Sequence, residues 1–354
     1  MRILALTKYG PMAASTRQRF LQYRPALAAA GMQLDVSPLL GDDHLRRLVE
    51  GRRASPVGVA AAYARRLRTL LTARRYDLLW VHCELFPYLP GLLERLAFAW
   101  GRPVVFDFDD AIFAMYDEAR SLMVRELLGG KLEPLVRGAA ACLCGNPYLR
   151  DYAARSNPNS IVLPTVVDTD RYVPAVRREG PLTIGWIGSP STWANVRPLL
   201  PLLRRLVEER GVRVRVVGAG VAAEADAFRG LELVPWTEAT EIVEVQGFDI
   251  GIMPLVDGPF ERGKSGYKLI QYMACGLAVV GSPVGVNSEI VTPEVGLLAA
   301  DEGQWEQALG RLIDDADLRR RLGAAGRDRA VTRYSLASQA PRLIALFREV
   351  LGSR

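Results

Sequence analysis

A chain of 354 residues, 49% hydrophobic and 24% charged, has the profile of a folded protein of two domains, which excludes a disordered or fibrous chain. Its four cysteines, Cys83, Cys142, Cys144 and Cys275, form no CxxC pair and no His/Cys cluster, which argues against a zinc site and a disulfide framework. The amino-terminal apolar run is too short for a signal peptide, and no uncharged run approaches the roughly 18 residues of a membrane span, so a cytoplasmic address is expected.

Short apolar runs at 3–6, 78–81, 104–106, 141–144 and 161–163 alternate with helical stretches, which predicts a parallel sheet with crossover helices over residues 1–175. The loop after the first run is rich in small residues and carries Ser15, Arg17 and Arg19 at a helix start; it either touches a ligand or simply joins strand to helix. Only Gly10 stands there. A nicotinamide-dependent dehydrogenase would need GxGxxG at that place.

The formal charge of +6 is unevenly spread: Arg46, Arg47, Arg52, Arg53, Arg65, Arg66, Arg68, Arg74 and Arg75 face only Glu50. Tyr63, Leu67, Leu70 and Leu71 recur at helical spacing, which predicts an amphipathic helix over 57–75 with its arginines outward. That face is either merely solvated or meets an anionic partner, a membrane surface or a phosphate-linked acceptor. Aromatic residues do not interleave with the arginines, which argues against nucleic acid.

His82, one of two histidines, follows the run at 78–81, with Glu84 two residues on. Just past a strand end, a histidine reaches a substrate hydroxyl or a sugar, whereas a structural one is satisfied in the core; His44, on a polar helix or loop, has no such placement. Asp107, Asp109 and Asp110 form an acidic cluster after the next strand. Because the phosphate-binding features lie in the other half of the chain, a substrate-hydroxyl contact or a helix cap is expected there and no metal ligand.

After a join at 172–181, strands at 183–187, 212–217, 231–234, 250–253 and 278–280 restart the pattern and predict a second Rossmann-like domain over 176–335. Gly188 and Ser189, ahead of a helix expected near 193–210, make an anion cradle, although a capped helix start uses the same residues. Gly218 and Gly220 read as a tight turn. In GKSGYKLIQYMACGLAVVGSPVGVN, residues 263–287, Lys264, Ser265, Gly266 and Lys268 stand where a loop enters a helix, so free N–H groups, the helix dipole and two ammonium groups converge on a diphosphate. The tail from residue 301 is helical, and a last helix near 336–354 is placed to cross back to the first domain.

GWIGSPSTWAN, FDIGIMPL, the segment just quoted with its continuation SEIV, and DADLRRRLGAAGRDRAVTRYS resemble the donor-binding domain of retaining glycosyltransferases of family four, strongly over 182–335. The first half, with DLLWVHCELFP, FDFDDAIF and VLPTVVDTDRY, resembles it more loosely. The resemblance implies an α/β GT-B fold, two Rossmann-like domains facing across a cleft, and sugar transfer with retention, without metal or cofactor. It implies a UDP- or GDP-linked sugar donor held by the second domain and a glycan, lipid-linked or small-molecule acceptor held by the first. The candidate catalytic residues are His82 and, because the family's basic pair is shifted and no arginine follows Gly188, Lys264 and Lys268. Those on the donor are Gly188, Ser189, Trp236, Ser265, Gly266, Tyr267, Gln271 and Glu289, and those on the acceptor Ser15, Arg17, Asp109 and Asp110.

The chain departs from the family's Glu-x7-Glu signature: Gln271 takes the second position, and the first falls near Gly263, with Glu261 close by. An amide still reaches ribose hydroxyls. Two other readings stand beside a transferase, a sugar-nucleotide epimerase on the same fold and a catalytically silent scaffold.

Overall fold

The computed structural model describes residues 1–49, 51–52, 55–176 and 179–352; Glu50 and Arg53 of the basic segment lie outside them. The chain divides into two compact units. The first holds Met1–Thr165, Gly258–Ser265 and the residues from Gln339 onward, the second Val166–Asp257 and Gly266–Ser338. Residues 258–265, counted with the second domain by sequence, thus pack with the first unit.

The first unit is built on six parallel strands: β1 (Arg2–Tyr9), β2 (Gln33–Leu40), β3 (Leu78–His82), β4 (Val104–Phe108), β5 (Ala141–Cys144) and β6 (Ser160–Val162), in the order β2-β1-β3-β4-β5-β6. All residues of β3, β4 and β5 are buried, as in a parallel sheet covered on both faces. β2 is invisible to an apolar-run reading because Asp35, Ser37 and Pro38 interrupt it. Among the described residues it pairs only with β1, at the sheet edge, where a proline is tolerated. From Gln339 onward the last helix, Leu336–Gly352, packs here, with Phe347 edge-on to Trp80 at 5.1 Å.

The helix Pro56–Thr72 corrects the expected amphipathic face. Its buried stripe is Ala62, Arg66 and Leu70, whereas Leu67 and Leu71 are 46% and 65% exposed. Arg66 turns inward because its guanidinium satisfies the carbonyls of Thr7 and Ser37, at 2.6 and 3.1 Å, where β1 and β2 meet the helix. Burial pushes its pKa down to about 9.

The second unit repeats the plan with β7 (Thr183–Ile187), β8 (Arg213–Val217), β9 (Leu231–Val234), β10 (Ile250–Met253), β11 (Ala278–Gly281) and β12 (Gly296–Leu298), all parallel, in the order β12-β11-β10-β7-β8-β9. β7, β10 and β11 are buried throughout. The helix expected near 193–210 begins only at Leu200, after two 3-10 turns, Pro190–Asn195 and Arg197–Leu199. Pro190, Pro198 and Pro201 lack the N–H groups that a continuous helix would need through this stretch. No helix among the described residues is long and apolar enough to cross a membrane.

Candidate active site

At the carboxyl ends of β3 and β4, each acidic side chain meets a cation of its own. Asp107, fully buried, accepts from Arg19 Nε at 3.0 Å and from the Trp80 indole at 3.0 Å. Asp109 Oδ1 lies 3.1 Å from His82 Nε2, and Asp110 Oδ1 lies 3.0 Å from Lys264 Nζ. The cluster that resembles a metal site is therefore neutralised by protein cations. Among the described residues, one group has a metal-binding composition, His82, Cys83 and Asp109, with ligand atoms within 4.8 Å of one another. His82 Nε2 in that group already faces the Asp109 carboxylate.

Burial opposes both charges of the His82–Asp109 pair, and pairing outweighs it. His82 titrates well above the ordinary histidine value, raised by the Cys83 sulfur and the Asp109 carboxylate, while Asp109 titrates below the ordinary aspartate value, held down by His82. For Asp107 and Asp110 burial wins over Arg19 and Lys264, and their pKa values are raised. His44, on the helix Asp42–Val49, is lowered by burial alone. The two histidines should thus titrate on opposite sides of about 6.5 in an NMR pH titration of the imidazole signals, His82 above and His44 below. The reverse order would dissolve the His82–Asp109 ion pair.

The expected acceptor contacts are placed unevenly. Ser15 is half-buried in the first turn of the helix Ala14–Arg19. Arg17 is buried and donates to the carbonyls of Pro11 and Met12, at 3.1 and 2.8 Å, so its guanidinium shapes the loop after β1. Arg19 pairs with Asp107 inside the core.

The loop that follows His82 is held by a charge network that sequence reading passes over. Lys131 Nζ donates to Glu94 at 2.6 Å and to the carbonyls of Phe86 and Leu89, and Glu94 accepts the N–H groups of Leu85 and Phe86 at 2.7 and 3.1 Å. Glu84 takes Lys8 Nζ at 3.2 Å and the Tyr116 hydroxyl at 2.5 Å. Cys83 and Tyr88 bracket this loop with φ of 57° and 62°, backbone that L residues adopt only when their surroundings impose it. Lys8 lies on β1, Glu94 and Tyr116 lie in two separate helical segments and Lys131 lies in a turn, so no local motif announces these partners.

In the first unit, residues 258–265 lie against the turn after β4. Asn146 Nδ2 donates to the carbonyls of Arg262 and Lys264, at 3.4 and 2.9 Å. A Cβ on Gly263 would sit 2.6 Å from the Ala111 nitrogen, so no glutamate fits where the family signature puts its first one. Lys264 stacks over Phe260 at 4.2 Å besides pairing with Asp110. Its ammonium is thus engaged within the first unit, and Ser265, half-buried, ends that segment.

In the second unit, the turns after β7, β8 and β9 converge. Gly188 N donates to Val217 O at 3.0 Å, and Gly218 N to Val234 O at 2.9 Å. A Cβ on Gly188 would overlap the Trp186 ring and approach Lys268 Cε to 2.9 Å, and one on Gly218 would come within 3.0 Å of Trp236 Cβ. Gly188, Gly218, Trp236 and Lys268 therefore share one small area. Lys268, half-buried, stands in the first turn of the helix Tyr267–Ala274, its Nζ 5.5 Å from the Trp186 ring centre. Gly266 caps that helix at φ 65°, and Tyr267 is half-buried beside it. Ser189 Oγ is exposed, 2.9 Å from Ser191 Oγ. Glu289 is exposed in the first turn of Asn287–Ile290.

Gln271 is 3% exposed, and its amide donates to Glu241 Oε1 at 3.0 Å and to the Tyr172 hydroxyl at 3.1 Å. Glu241 also accepts from the Trp236 indole at 2.8 Å and from Tyr172. Here lies the physical reason for an amide where the family signature has a glutamate: a carboxylate at 271 would face that of Glu241 at hydrogen-bond distance inside the protein. Glu241 is the member of this site that sequence reading missed, since it lies in a short helix without a motif.

Residues 181–315 match the family model described as Glycosyl transferases group 1. Over 137 residues the chain is 30% identical to the alpha-maltose-1-phosphate synthase of Mycolicibacterium smegmatis, which covers 36% of this chain and 34% of that protein. Over 231 residues it is 24% identical to the GDP-mannose-dependent monoacylated alpha-(1-6)-phosphatidylinositol monomannoside mannosyltransferase of Corynebacterium glutamicum, covering 55% of this chain and 60% of that one. The chain thus spans about a third and three-fifths of the length of these curated relatives. Its fold is similar to that of the sucrose-phosphate synthase from Thermosynechococcus elongatus, at a TM-score of 0.74 and 16% identity over 100% of both chains. Residues 181–315 thus resemble the Glycosyl transferases group 1 proteins, and the two parallel six-stranded sheets have the GT-B fold of the sucrose-phosphate synthase.

Proposed function

We propose that this protein transfers a sugar from a nucleoside diphosphate sugar to an acceptor hydroxyl with retention of anomeric configuration and without a metal ion. The observation that carries the reading is the meeting of Gly188 and Lys268 at the mouth of the helix Tyr267–Ala274, where backbone N–H groups and an ammonium serve a departing diphosphate. Departure of that group builds negative charge on its oxygens and positive character on the sugar, so fixed cations contribute most where charge develops. Lys268 takes this role, with Trp236 on the base and Gly266, Tyr267 and Ser189 around the phosphates. Lys264 acts through Asp110 in the first unit, and Asp109, Asp110 and His82 serve the sugar or the acceptor. The pairing of Asp107, Asp109 and Asp110 with Arg19, His82 and Lys264 supports a metal-free reaction, since no carboxylate of the cluster is left without a cation.

The mannosyltransferase relative depends by its name on GDP-mannose, which supports a GDP-linked donor, with a UDP-linked one as the competing choice. Its acceptor carries a phosphatidylinositol, which supports a lipid-linked acceptor here, a cytoplasmic address at the inner membrane face, and contact of the basic segment from Arg46 to Arg75 with anionic membrane. Calorimetric titration with UDP, GDP and ADP tests the donor site: one nucleotide is expected to bind at least about tenfold more tightly than the others, a difference of 1.4 kcal/mol. Failure of all three to bind at millimolar concentration would leave a silent scaffold. Release of the preferred nucleoside diphosphate from its sugar conjugate, only when lipid-linked or soluble glycans are added, completes the test.

A further inference from the structure

We infer that the first unit docks on an anionic lipid bilayer by inserting a specific apolar ridge, Leu67, Leu71 and Trp100, framed by arginines. This sharpens the membrane contact of the proposed function and rests on it for its purpose, but its geometry is independent of catalysis. Leu67 and Leu71 are one helical turn apart on the outer face of Pro56–Thr72, 46% and 65% exposed, while the inner face buries Ala62, Arg66 and Leu70. Trp100 comes from a separate segment, is 40% exposed, and is tied to the end of the same helix by its indole N–H, which donates to Leu70 O at 2.7 Å. Arg74 lies over the Trp100 ring at 6.0 Å, and Arg102 donates to Arg74 O at 2.8 Å. Arg68, Arg74 and Arg75 are exposed around the ridge.

The charge pattern selects the partner. From Ser55 to Tyr76 the chain contains no aspartate or glutamate, and the nearest carboxylate, Asp77, accepts the backbone N–H of Arg2 at 2.8 Å. A basic field alone would fit any polyanion, but a tryptophan anchored by its N–H beside two exposed leucines fits a headgroup-to-acyl boundary, where amphipathic rings and aliphatic side chains are favoured together. Nucleic acid would ask instead for aromatic faces spaced along a basic groove. Val57, 80% exposed at the start of the same helix, extends the apolar line.

The test is co-sedimentation of the full chain with extruded vesicles of pure phosphatidylcholine and of phosphatidylcholine with about one-third phosphatidylglycerol. Binding to the anionic vesicles alone is expected at low salt. Arg74→Gln and Arg75→Gln should each weaken it about fivefold, the equivalent of roughly 1 kcal/mol per basic residue near the surface. Leu67→Ser with Leu71→Ser should remove the fraction of binding that persists at 0.5 M salt, where surface charge is screened. All these side chains are exposed, and unchanged thermal unfolding of each variant reports that the first unit is intact. The inference is overturned by absence of binding to anionic vesicles, by binding indifferent to the two leucines, or by retention of an RNA oligonucleotide in place of vesicles. None of these outcomes touches the donor site, and loss of nucleotide binding with vesicle binding preserved would count against the transferase reading alone.

Discussion

Lys268→Ala should lower kcat roughly 100- to 1000-fold with its donor, the loss typical of removing one preorganised group that stabilises developing negative charge. The effect should fall on kcat more than on KM, because the ammonium is most valuable when the leaving diphosphate gains charge, and an interaction stronger in the transition state than in the ground state appears in kcat. Lys268→Arg should recover part of the rate, since the charge survives while its reach and shape change. Folding is not the confounder: the side chain is half-buried, and the backbone of its helix is capped by Gly266 whatever stands at 268. Thermal unfolding of the variant within about 1 kcal/mol of the parent would confirm this. Turnover within a few-fold of the parent, with the fold preserved, would take Lys268 out of the mechanism. Gly188 offers a second route to the same place: Gly188→Ala pushes a methyl into Trp186 and toward Lys268.

The division between what sequence reveals and what it hides follows the range of the forces involved. Apolar runs such as 78–81 and 183–187 mark central parallel strands because burial on both faces is written into each residue. β2 escapes because an edge strand tolerates Pro38 and Asp35, and β12 because three residues carry no period. The helix Pro56–Thr72 misleads for a different reason. Its leucines are periodic, but the carbonyls of Thr7 and Ser37 want a donor, and only the folded sheet reveals that Arg66 supplies it. In the candidate site, Gly188, Gly266 and Lys268 are legible because a loop entering a helix has local chemistry. Lys264 and Gln271 are legible as residues and opaque as roles: Lys264 answers to Asp110 and Gln271 to Glu241, partners 154 and 30 positions away in the chain.

Glu94→Ala should destabilise the first unit by about 3–5 kcal/mol, the usual cost of stripping one partner from a buried ion pair. Both side chains of the Glu94–Lys131 pair are fully buried, 2.6 Å apart. The substitution leaves an ammonium facing only the Phe86 and Leu89 carbonyls and the more distant Glu84, at 3.9 Å, and it strips the Leu85 and Phe86 N–H groups of their acceptor. Each orphaned group adds its own desolvation cost. The loop after His82 should open first, because these bonds are its attachment, so amide exchange of Leu85 and Phe86 should accelerate before the sheet loses protection. Removing both charges together, as Glu94→Leu with Lys131→Met, should cost less than Glu94→Ala alone, since no unpaired charge remains in the interior. Urea denaturation of the three proteins decides the matter. A Glu94→Ala loss under about 1 kcal/mol, or a double variant worse than the single one, would mean that the loop draws its order from Cys83, Tyr88 and the Lys8–Glu84 pair rather than from Glu94.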